Sequence, residues 1–143
     1  MATFTADEAA ATAPAKGEGF SGNAKVVVSE YEITAALALN DVIQMVKVPV
    51  GAIVSNVVLA TDDLDSGGSP ALVLDVGDGG NTDRYIDGAT VGQTGGITDS
   101  SNLAIDGIGY TYTAEDTIDI LVQVAPATGA TSGTIKLIVT YTI

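Results

Sequence analysis

Apolar and polar residues alternate with a period of two along most of this chain, and Gly, Pro, Asp, Asn and Ser interrupt the alternation at intervals of roughly 8–12 residues. The clearest case lies near the C-terminus. Residues 117–124 place Ile118, Ile120, Val122 and Val124 on one face. Residues 134–143 place Ile135, Leu137, Val139, Tyr141 and Ile143 on one face, with Thr134, Lys136, Thr140 and Thr142 opposite. The Gly/Thr/Ser stretch between them predicts a hairpin. A second hairpin is predicted where residues 42–48 and 52–60 flank Pro49-Val50-Gly51. The first of these strands is apolar in both phases, with Val42, Val46 and Val48 in one and Ile43 and Met45 in the other. That pattern is expected of a strand covered on both sides or lying at a subunit contact. Further strands are predicted over 25–33, 71–76, 84–86, near Val91, and over 103–105 and 110–113. Residues 35–39 are apolar enough to form a helical turn. Eight or so short strands predict an all-β, antiparallel β-sandwich, jelly-roll-like in its winding.

The first residues break this grammar. Residues 1–24 are rich in Ala, Thr, Gly and Glu, and predict a flexible N-terminal arm in front of a β-sandwich domain over 25–143. Thr5-Ala6-Asp7-Glu8 fits a capping box, so a short helix is expected before Pro14. Phe4 and Phe20, the two phenylalanines of the chain, both fall in this arm. They are either incidental aromatics on a tail or docking residues that order on a partner.

Composition narrows the partners. The formal net charge is −13, with five basic residues scattered along 143 positions. Nucleic acid and anionic membrane are therefore not expected as partners, because phosphate contacts need clustered Lys and Arg. No apolar run approaches the ~18 residues of a membrane span, and the N-terminus lacks the pattern of a signal peptide, so a soluble protein is expected. Without cysteine, stability has to come from packing or partners.

The chain has no His and no Cys, so neither a Ser-His-Asp nor a Cys-His nucleophile can be assembled, nor a zinc site of the usual ligands. Carboxylate pairs remain, but 18 acidic residues bring some together by chance, and no Trp supplies a sugar platform. No enzymatic activity and no cofactor are expected. One loop does hold hard oxygen ligands at close spacing: Asp75, Asp78, Asn81 and Asp83, among Gly77, Gly79 and Gly80. It is either a cation loop or, more simply, a turn in which Asp and Asn cap their own backbone. Asp62, Asp63 and Asp65 pose the same choice between a solvated turn and a weak cation site shared between subunits. Tyr110 and Tyr112 lie in phase and predict either a sugar platform or a core or interface pair.

The runs ALALNDVIQMVKVPVGAIVSNVVLATDDLD, LVLDVGDGGNTDRYI, GIGYTYTAEDTIDILVQV and GTIKLIVTYT, in this order, resemble small head decoration (cement) proteins of tailed bacteriophages. The resemblance spans about residues 31–142 and rests on the order of the turns, none of which is a catalytic signature. It implies a structural β-sandwich, a homotrimer at threefold or quasi-threefold positions on the outer face of the assembled head. It also implies the major capsid protein as partner, with stabilisation of the capsid as the function. In that setting the arm, through Phe4 and Phe20, would act as a second tether. Two alternatives stay open on the sequence: a virion-surface carbohydrate- or cation-binding adhesion module, and a tail or fibre component.

Overall fold

A computed structural model describes residues 1–10, 24–101 and 105–143. The elements are β1 (Thr3–Thr5), α1 (Asp7–Ala10), β2 (Lys25–Ile33), β3 (Val42–Val48), β4 (Ile53–Thr61), β5 (Val73–Gly77), β6 (Ile86–Ala89), β7 (Gly96–Asp99), β8 (Asp116–Val124) and β9 (Gly133–Thr142). They form one sheet in the order β1-β3-β8-β5-β6 and a second in the order β2-β9-β4-β7. Among the described strands, only the β1·β3 pair is parallel. The expected all-β sandwich is what forms.

Alternation places the core. Ile118, Ile120 and Val122 of β8, Leu74 and Val76 of β5, and Ile135, Leu137, Val139 and Tyr141 of β9 have no exposed side chain, and meet between the sheets. Each aliphatic side chain buried there contributes about 1.5–3 kcal/mol relative to exposure.

The two predicted hairpins do not form. β3 pairs with β1 and β8, whereas β4 pairs with β9 and β7 in the other sheet. β8 and β9 likewise lie in different sheets. Period-two alternation reports that one face of a strand is buried but not which strand lies beside it. Both turns therefore carry the chain across the sandwich, and among the described strands the pair β5·β6 is the one hairpin of sequence neighbours. The two apolar phases of β3 also have a local cause. Its pairing with β8 shifts between Gln44 and Val46, a bulge that turns the phase over, so Ile43, Met45, Val46 and Val48 all point inward and are fully buried.

Smaller departures follow from similar limits. The strand expected near Val91 is a single 3-10 turn, Val91–Gln93, between β6 and β7. Residues 35–39 form a loop, not a helical turn, ahead of Asn40 in the left-handed region at φ 64°. Residues 110–113 supply an isolated bridge, Ile53 to Thr111, and residues 102–104 of the predicted neighbouring strand lie outside the described set. The short helix forms, but begins at Asp7, so Ala6 rather than Thr5 stands at its cap.

Two buried aspartates hold the loops at one end. The Asp41 carboxylate accepts hydrogen bonds from the Ala2 and Ala38 amides, tying the chain start to the β2–β3 loop. Asp65 is 1% exposed and accepts four backbone hydrogen bonds, from Ala71, Leu72, Ala127 and Thr128. It therefore joins the β4–β5 and β8–β9 connections and is not a solvated turn residue. Burial alone would raise its pKa, but the four amides outweigh that and hold it at about 2, against 3.8 for an ordinary Asp.

That shift sets a pH dependence. The Asp65 contribution is complete above 3.8 and is lost as pH falls through about 2, where the folded-state carboxylate takes up its proton. Asp65→Ala should lower the melting temperature at pH 7 and shrink the difference between mutant and wild type near pH 2. An equal difference at both pH values would show that the amides do not depend on the carboxylate.

Candidate functional site

The acidic loop after β5 was the strongest sequence candidate for chemistry, and its backbone explains its shape. A Cβ on Gly77 would collide with the Asn81 and Thr82 backbone, so only glycine lets residues 78–83 fold back over the end of β5. The Asp78 amide donates to the Asn81 carbonyl at 2.9 Å, closing the turn. Asp78 Oδ1 then accepts from the amides of Gly80 and Asn81, each at 2.9 Å. Asn81 Oδ1 accepts the Asp83 amide in the same self-capping manner.

Arg84 completes the loop. Its Nε donates to Asp78 Oδ2 at 2.6 Å and its Nη2 to Asp78 Oδ1 at 3.3 Å, in a bidentate pair with both side chains buried. The guanidinium lies 3.7 Å from the centre of the Tyr110 ring, and Nη1 donates to the Asp106 carbonyl. The Tyr112 hydroxyl donates to Asp78 Oδ2 at 2.8 Å and shares a 2.7 Å hydrogen bond with the Tyr85 hydroxyl. The Tyr110 and Tyr112 rings meet edge to face with centres 5.0 Å apart.

Electrostatics match this geometry. Burial acts to raise the Asp78 pKa, but Arg84, Tyr112 and the two amides outweigh it and lower it. Burial raises both Tyr85 and Tyr112, which stay neutral as hydrogen-bond partners. Every oxygen of Asp78 is therefore engaged by the protein's own donors, and a guanidinium already supplies the positive charge that a metal ion would bring. Asp75 points elsewhere and accepts the Gly88 amide, and burial raises its pKa. The four predicted ligands thus share a loop but do not converge on one point. Among the described residues no group of three or more acidic side chains is arranged to hold a metal ion. The arrangement is a structural clamp that draws the β5–β6 loop and residues 106–112 together over one end of the sandwich.

The sequence reading missed Arg84, which looked like one of five scattered basic residues; its signal was Asp78 six positions earlier across a glycine-rich turn. It also missed Asp119 on β8. Burial pushes this carboxyl up to about 7; Thr117 counters in part, whereas Asp116 and Asp78 add to the rise. One oxygen of Asp119 has no hydrogen-bond partner. A cleft of about 370 Å³ between β6 and β7 is lined by Asp87, Thr90, Thr98 and Asp99, and its one aromatic, Tyr85, is buried. It offers no ring for sugar stacking. Tyr112 is likewise buried, in keeping with a core pair. Phe4 is half-buried in β1, its ring 6.0 Å from that of Tyr31, and Phe20 lies outside the described residues.

No protein-family model and no curated protein sequence matches the chain. Solved structures do. A chain in the capsid of Ralstonia phage GP4 is 27% identical with a TM-score of 0.81, covering 99% of this chain and 97% of that one. A chain in the capsid asymmetric unit of cyanophage Pam1 is 34% identical with a TM-score of 0.73, covering 96% of each. A chain in the acid-stable capsid of Helicobacter pylori bacteriophage KHP30 shares the fold at 20% identity and a TM-score of 0.51, covering 85% of this chain and 94% of that one.

Two measurements check the clamp. Arg84→Met leaves Asp78 buried without its counter-charge and should cost about 3–5 kcal/mol in urea unfolding, while melting curves in calcium and in EDTA should superimpose. A calcium-dependent rise in melting temperature would show that a cation, not Arg84 alone, satisfies the loop. Asp119 behaves in the opposite sense to Asp65. The folded state keeps its proton up to about pH 7 and the unfolded chain releases it near 3.8, so stability falls as pH rises through that window. Asp119→Asn should therefore stabilise the protein at pH 8, by on the order of 2 kcal/mol, and have little effect at pH 4.

Proposed function

The chain belongs to a family of bacteriophage capsid proteins, and from that membership we propose that it is a decoration, or cement, protein of a phage head. In this reading it is a non-enzymatic homotrimer on the outer face of the assembled shell. It sits at threefold or quasi-threefold positions, contacts the major capsid protein and stabilises the shell against internal pressure. The observation that carries the reading is sequence identity running through nearly the whole length of a phage capsid chain. The interior supports it: the polar groups of the acidic loop are spent on holding loops together, as a load-carrying domain needs and a catalyst does not. The nested pairing β2·β9, β3·β8, β4·β7 and β5·β6 supports the jelly-roll-like form of the sandwich.

The N-terminal arm, residues 1–24, is the second tether in this reading, with Phe4 and Phe20 as its docking residues. Phe4, half-buried in β1, keeps the start of the arm against Tyr31.

The test uses heads assembled without this protein. Purified chain should bind them at saturating, symmetric positions on the outside and raise the temperature at which they release DNA. Failure to bind, or density on the inner face, would overturn the reading. Phe4→Ala with Phe20→Ala should weaken head binding at least about tenfold, as loss of aromatic anchors does. Unchanged occupancy would remove the arm from the mechanism.

A further inference from the structure

The outer face of the four-stranded sheet carries apolar side chains where alternation would place polar ones. Register aligns Val28 of β2, Ile138 of β9 and Val58 of β4 in one row across the sheet. The next row is Val26, Thr140 and Asn56. Val26 and Val28 are 63% and 58% exposed. On the other side of the first row, Glu30, Lys136 and Ala60 run on to Ile97 of β7, which is 74% exposed. β2 is also an edge strand, nine residues long, that pairs on one side only among the described residues. A long edge strand flanked by exposed valines favours association over solvation.

Charge selects the occupant. With a net charge of −13, two copies of this chain repel wherever uncompensated carboxylates face each other. The rows through Val26 and Val28 carry no charged residue on β2, β9 or β4. The row beside them is neutralised within the chain, because Lys136 Nζ lies 2.7 Å from Glu30 Oε2. Asp99 stands at the β7 end of the Val28 row, at the margin of the patch. A basic partner would be drawn instead to the acidic turns elsewhere on the body. The apolar, locally neutral face is where an acidic chain can meet its own copy.

We propose that the outer face of the β2-β9-β4-β7 sheet, centred on Val26, Val28, Ile138 and Val58, is the surface by which copies of this chain pack against one another. The proposal rests on the homo-oligomeric part of the reading above and names its contact. Apolar desolvation drives this association, and salt that screens the remaining acidic repulsion strengthens it.

Light scattering on purified full-length protein, without heads, tests it. Wild type should have a multiple of the 14.3 kDa chain mass, and the oligomer should persist or strengthen as salt is raised. Val28→Lys should reduce the mass to that of one chain, with a melting curve that still shows a cooperative fold, and Val26→Lys should do the same. Val50→Lys, at an exposed turn away from the sheet face, should leave the mass unchanged. A monomeric wild type overturns both the proposal and the homo-oligomeric reading. An oligomer that survives both lysine substitutions, or that dissociates in high salt, overturns the proposed surface and leaves the oligomeric reading standing. Loss of the cooperative melt in both lysine variants would also overturn it, by showing that these positions serve the fold.

Discussion

The buried pair of Asp78 and Arg84 is the contact on which the order of one whole end of the sandwich depends. Two sheets packed through aliphatic side chains hold each other at a fixed distance, but that packing does not specify where the connecting loops lie. Here a single carboxylate gathers a guanidinium, a phenol and two amides. Through these donors it reaches the β5–β6 loop, residues 106–112 and, by the Tyr112 backbone, the turn between β3 and β4, where Gly51 donates to the Tyr112 carbonyl. The desolvation of two charges is offset because both Asp78 oxygens are engaged and each of the three Arg84 nitrogens donates a hydrogen bond. Removing one partner is therefore far more costly than the modest net contribution of the intact pair.

The opposite end solves the same problem without a cation. Asp65 is satisfied by four amides from two loops, so a charged group is buried by surrounding it with backbone dipoles. Asp41 does the same on a smaller scale for the start of the chain. Several of the aspartates thus fasten the connections between sheets, a need that grows when sequence neighbours such as β3 and β4, or β8 and β9, lie in different layers. Asp119 differs. It is held half-buried on β8 without a full set of partners, and, as at Asp75, burial makes its charge oppose folding at neutral pH.

The strands were legible in the sequence because burial imposes period two, and β2, β3, β4, β8 and β9 lie close to where alternation puts them. Partnership was not legible, because alternation in Val139 or Ile120 is the same whichever strand lies alongside. The bulge at Met45 was visible only as an apolar run in both phases, a signal that a subunit contact would equally produce. At the candidate site, the self-capping turn over Asp78 and Asn81 could be anticipated from Asp, Asn and Gly at turn spacing. The contribution of Arg84, Tyr85 and Tyr112 could not, since it arises from a long connection returning Tyr112 to within 2.8 Å of a residue 34 positions earlier.

The same physics separates the two kinds of surface this protein presents. Charge has been removed from the inner faces by apolar alternation and from the loop ends by internal pairing, so what remains on the outside is strongly acidic. An acidic exterior opposes contact between copies wherever carboxylates face each other, and so limits wrong contacts. It also makes any charge-free area conspicuous, because association there meets the least repulsion. The face bearing Val26, Val28, Ile138 and Val58 is such an area, and its β-branched residues leave few rotamers to be frozen on contact. A rigid sandwich with a charge-free apolar patch on one sheet face and acidic groups around it has direction built into its surface, which suits a component of a larger shell.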